Sequence, residues 1–82
     1  MTPFGTKVRE FRSQRGISLK KMAADMGVTS AYFSALEHGH RGRPGTGLIQ
    51  QISGYFDLSW EESEDLERLA HILRGANYQG FV

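Results

Sequence analysis

Glycines at positions 16, 27 and 39 each stand where a helix-period apolar stripe runs out, and that rhythm restricts the chain to short helices. Phe4, Val8 and Phe11 run i, i+4, i+7 ahead of Gly16, and Leu19, Met22, Ala23 and Met26 run i, i+3, i+4, i+7 ahead of Gly27. Phe33 and Leu36 face inward ahead of Gly39. Glycine takes the left-handed conformation that ends a helix, so each is a natural stop. Each stripe also opens on a capping residue: Thr2 followed by Pro3, then Ser18, then Thr29. A fourth segment, Thr46 to Phe56, carries Leu48, Ile49, Ile52, Tyr55 and Phe56. Ser59-Trp60-Glu61-Glu62 reads as a capping box, and Leu66, Leu69, Ala70 and Leu73 behind it form one face. No stretch alternates with period two and β-branched residues never cluster. The pattern predicts an all-α, compact five-helix bundle without strands.

At 82 residues the expectation is a single domain, 1–82, with a small core. No linker or internal repeat divides it. The glycine-rich stretch 39–47 reads as a loop within the domain, and the tail, about 75–82, has no helical pattern but contains Tyr78, Phe81 and Val82. With no cysteine, neither a disulfide framework nor a thiolate zinc site is available. A hydrophobic content of 39% is too high for disorder. No apolar run reaches membrane-spanning length, and MTPFGTKVREF lacks a signal peptide's apolar core, which predicts a soluble, cytoplasmic protein. The net charge of +1 hides a division: residues 1–45 hold eight basic and three acidic residues, residues 46–82 two basic and six acidic. Such polarity suits one end that meets a polyanion.

Within the basic part, SLKKMAADM-G-VTSAYFSALEH reads as two short helices joined by a glycine turn, about residues 18–38. Ala23 is small enough for helices crossing near a right angle, and Gly27 tolerates the positive φ of a tight turn. Val28 and Phe33 anchor the second helix, leaving Ser30, Ala31, Tyr32, Ser34 and Ala35 outward. This is a helix-turn-helix pattern, whose second helix enters the DNA major groove.

The flanking residues make the pattern more specific. The chain opens with F-G-x-x-V-R-x-x-R, carries R-G-I-S before the second helix and A-x-x-M-G-V-T across the turn, then L-E-x-G, an Arg-Pro ahead of helix four, and L-I-x-x-I-x-x-Y-F-x-L-S. Over about residues 4–66 it resembles the Cro/repressor-type (Xre) helix-turn-helix family. The resemblance implies a five-helix bundle, sequence-specific DNA binding and commonly a homodimer on a near-palindromic operator. Carried over by position, it implies that Ser30, Ala31 and Ala35 read bases with Thr29 and Tyr32 beside them. Ser18, Leu19 and Lys20 at the start of helix two, and His40, Arg41 and Arg43 in the loop, would meet phosphates, which suits the free N–H groups of a helix N-terminus. It also implies a buried ion pair between Arg12 and Glu37. The sequence departs from the family in three places: Leu19 stands where Gln is usual, the reading positions are small, and the 39–44 loop is one residue longer. Bidentate base recognition needs Arg, Lys, Asn or Gln, and none lies on the exposed face of 29–37. Recognition is then expected to lean on methyl contacts, Tyr32 and DNA shape.

Other signals are weaker. His38-x-His40 with His71 lacks the cysteines or carboxylates of a zinc site, so no metal is expected. GHRGRPGTG has neither a GK[ST] nor a preceding strand, so no nucleotide cofactor is expected. Glu61, Glu62, Glu64, Asp65 and Glu67 read as acids complementing a helix dipole plus a solvated face. No catalytic arrangement stands out, and an enzyme is not expected. The competing reading is a protein-interaction module, such as an antitoxin-like partner, using helix five or the tail. Trp60 and Ile72 lie away from the helix-five stripe; with Tyr78 and Phe81 they form either a two-fold dimer patch or part of a tail folded over its own core.

Overall fold

Thr2, Ser18, Thr29 and Ser59 each accept a hydrogen bond from a backbone N–H three residues on, and each of these bonds starts a helix. The computed structural model describes residues 1–72 and holds α1 (Pro3–Arg15), α2 (Leu19–Asp25), α3 (Ser30–Glu37), α4 (Thr46–Phe56) and α5 (Trp60–Ala70). Glu62 returns a bond to the Ser59 N–H, completing the capping box. Among the described residues, α4 alone starts without a side-chain cap, at Gly45. Gly27 makes the α2–α3 turn at φ 77°. Asp57 ends α4 in the left-handed region at φ 56°, a conformation aspartate tolerates better than most residues. Helix α5 closes earlier than its stripe implies, at Ala70 with His71 as cap. No glycine or proline stands between Ser59 and Ile72, so the sequence offers only periodicity there, and periodicity does not mark a terminus. Leu73, Tyr78, Phe81 and Val82 lie outside the described residues.

The buried residues come from the predicted stripes. Phe4, Val8 and Phe11 of α1 meet Met22 and Ala23 of α2, Phe33 and Leu36 of α3, Ile49, Ile52 and Phe56 of α4, and Leu66 and Ala70 of α5. Burying each large side chain contributes roughly 1.5–3 kcal/mol. Helix α1 packs on both α3 and α5, α2 packs on α3, and α4 packs on α5. The DNA-reading candidate α3 and the acidic α5 are therefore both seated on α1.

Polar contacts fix where α3 ends. The Thr2 N–H and hydroxyl both donate to the Glu37 carbonyl, at 3.1 and 2.8 Å. A Cβ at Gly5 would overlap that same carbonyl, so only glycine lets the two backbones approach so closely. Arg12 Nη2 donates to Glu37 Oε2 at 2.9 Å, and Glu37 is 2% exposed. At the other end of α1, Arg15 donates to the Phe11 and Phe56 carbonyls and stacks on both of their rings.

Candidate nucleic-acid interface

Phe33, Leu36 and Glu37 turn the inner face of α3 to the core. At ~100° per residue the opposite face centres on Ala31, Ala35 and His38, with Ser34 and Tyr32 on its flanks and Ser30 in the first turn beside Glu37. Ala31 and His38 are exposed; Ser30, Tyr32, Ser34 and Ala35 are half-buried. The Thr29 hydroxyl accepts the Tyr32 N–H at 3.0 Å, so its side chain serves the helix start.

The start of α2 lies against this face. Leu19, Ser34 and His38 line one groove together with Arg9, Arg12 and Glu37. Ser18 accepts the Lys21 N–H, and the first backbone bond of α2 runs from the Met22 N–H to the Ser18 carbonyl. The amides of Leu19 and Lys20 precede that bond, as the orphan donors of a helix N-terminus do. Leu19 packs its side chain against the core, so what it offers an anion is its N–H. Lys20 is exposed.

The loop after α3 supplies the other edge. Its backbone is tied back to the helix by the His40 N–H donating to the Ala35 carbonyl at 2.9 Å. The Arg41 guanidinium carbon sits 4.9 Å from the centre of the Tyr32 ring. Arg43 turns elsewhere: its Nη1 donates to His71 Nδ1 at 3.0 Å, at the end of α5. The loop arginines thus part company, one on α3 and one on α5. His40 is exposed, its ring 5.9 Å from that of His38.

Two residues absent from the sequence-based set join this surface, Arg9 and His38. Arg9 precedes Arg12 by three residues on α1, one helical turn, and His38 continues the Ala31/Ala35 line by a further turn. Both positions follow from helical spacing once α3 is known to run to Glu37. His38 Nδ1 donates to the Ser34 carbonyl at 2.9 Å. Among the described residues no three histidines or carboxylates are grouped as a metal ion would need.

The charges around the module are tuned by their settings. Burial raises the Glu37 carboxyl above its ordinary value, with Arg12 pulling the other way. The Tyr55 hydroxyl donates to Asp25 at 2.6 Å; that bond, with Lys21 beside it, holds the Asp25 carboxyl below its ordinary value and ties the end of α2 to α4.

Two short helices joined by a glycine turn, the second anchored inward and bare outward, define a helix-turn-helix module. The chain belongs to the helix-turn-helix domain family, whose model matches residues 3–76. It is 33% identical over 61 residues to the uncharacterized HTH-type transcriptional regulator RghRB of Bacillus subtilis, covering 74% of this chain and 44% of that protein. It is 27% identical over 55 residues to the HTH-type transcriptional regulator SinR of the same organism, covering 67% and 50%. With the HTH-type transcriptional repressor RghR, also from B. subtilis, it shares 30% over 61 residues, covering 74% and 45%. The chain thus spans about half the length of the curated relatives it matches. No solved structure matches it.

Proposed function

We propose that this chain is the sequence-specific DNA-binding domain of a transcriptional regulator, a binding module rather than an enzyme, with α3 in the major groove. One observation carries the reading: the open N-terminus of α2 and the basic loop both border the outward face of α3. A groove-inserted helix needs phosphate contacts on either side to fix its register. Ser18, Leu19 and Lys20 take one flanking strand, and the loop backbone around His40 borders the other. Ser30, Ala31 and Ala35 face base edges and methyl groups, with Thr29 and Tyr32 beside them. The site of action is then cytoplasmic DNA. The domain acts as a homodimer on half-sites one helical turn apart, about 34 Å. Trp60, 74% exposed, and Ile72, 39% exposed, are the apolar residues of α5 and its end available for such pairing.

Selection of bound duplexes from a random pool, followed by salt titration on the winner, tests the reading. Log affinity should fall linearly with log salt, and Lys20→Ala should flatten the slope by about 0.9 per half-site while weakening all sequences alike. An interaction module that uses α5 or the tail predicts instead no saturable duplex binding at moderate salt.

A further inference from the structure

The DNA-binding reading leaves a chemical gap. The outward face and first turn of α3 carry Ser30, Ala31, Ser34, Ala35 and His38, none of which makes the bidentate contacts that distinguish guanine or adenine in the major groove. We propose that Arg41, held over Tyr32, fills that gap by reading a guanine from the loop.

The geometry supports this in three ways. The loop is not free to wander: the Gly39 N–H donates to the Leu36 carbonyl, the His40 N–H to the Ala35 carbonyl and the Gly42 N–H to the Gly39 carbonyl. Gly39 and Gly42, at φ 83° and 79°, bracket Arg41 and turn the segment back along the last turn of α3. The guanidinium then rests 4.9 Å from the Tyr32 ring centre, on the flank of the outward face. A planar, charged fork lying against an aromatic ring is favoured by the ring's quadrupole, and it loses less freedom on binding than a solvated side chain would. Arg43, the loop's other arginine, is engaged with His71 at α5. Arg41 is the loop guanidinium on the α3 side, and the fork suits the O6 and N7 acceptors of guanine. Tyr32 is then a positioning residue: its ring places the reader.

The inference rests on the DNA-binding reading, and one set of experiments separates the two. Duplexes are selected from a random pool with the wild type, R41A, Y32F and Y32A, and affinities are measured for the selected duplex and its single-base variants across salt. The wild-type motif should contain a guanine whose replacement weakens binding roughly 5- to 150-fold. R41A should bind all bases at that position within about twofold, with other positions and the salt slope little changed, because a base edge carries no phosphate. Y32F keeps the ring and should keep the guanine; Y32A should lose it as R41A does, with the double variant no worse than either. Equal thermal unfolding of R41A and wild type excludes misfolding as the cause. If R41A selects the wild-type motif, or weakens every sequence equally while flattening the slope by about 0.9, Arg41 is not a base reader and the DNA-binding reading stands. If the wild type binds no duplex, both fall.

Discussion

Glu37 is gripped at both ends, its carboxylate by Arg12 and its carbonyl by Thr2. The carboxylate contact is a buried pair, so removing one partner strands the other. Arg12→Met should cost on the order of 3–5 kcal/mol at neutral pH, and R12M/E37L should recover most of it. The pH dependence has a definite sign. Because burial raises its pKa, folded Glu37 holds its proton more tightly than the unfolded chain does. Its contribution to stability therefore falls as pH rises through the carboxylate range and is flat above it. Without Arg12 the fall should be steeper and reach higher pH, so the R12M penalty shrinks on acidification. Urea unfolding at several pH values checks this. Gly5→Ala should cost about 1–3 kcal/mol, since the added methyl must displace the end of α3. The sequence placed Arg12 and Glu37 beside inward-facing neighbours, and the family resemblance paired them. Gly5, by contrast, stood in a motif without a visible reason, because its reason is a carbonyl 32 positions away.

At the scale of elements, what was legible was what is local. A cap acts within three or four residues, so Thr2, Ser18, Thr29 and Ser59 could be read directly from their neighbours. The end of α5 could not, for want of a stop residue. Contacts that depend on how helices cross were equally hidden: Arg15 on Phe56, Tyr55 on Asp25, Arg43 on His71. Arg15 counted in the sequence as one more positive charge; in the fold it satisfies the Phe11 and Phe56 carbonyls and covers two rings. Arg15→Lys preserves the charge but not the fork. It should therefore destabilise almost as much as Arg15→Ala, by about 1–2 kcal/mol, while leaving the salt slope of duplex binding unchanged. Thermal unfolding beside salt titration separates the two effects.

Across the whole molecule, the charge division read from the sequence meets a fold in which α5 reaches α3 through α1. The acids of α5 are then separated from α3 by two helix packings, roughly 20 Å, about twice the Debye length at 0.1 M salt. Replacing Glu61, Glu64 and Glu67 by Gln should raise duplex affinity well below that ionic strength, equally for all sequences, and have little effect at or above it. The candidate site was legible as a region because α2, the turn and α3 are contiguous in the chain. The directions of Arg41 and Arg43 were not, since loop arginines two positions apart can point to different helices and spacing does not say which.

The Thr2–Glu37 contact also sets a clock. An amide at a helix N-cap, outside the intrahelical ladder, ordinarily trades its proton with water almost as fast as a free peptide does. Here the Thr2 amide is bonded to the last residue of α3, and Thr2 is 4% exposed. Its exchange waits for α1 and α3 to part, so it should be slowed together with the amides of the final turn of α3. Gly5→Ala should quicken that whole group in step, and a Thr2 amide that exchanges at the free-peptide rate would show that the contact does not hold in solution.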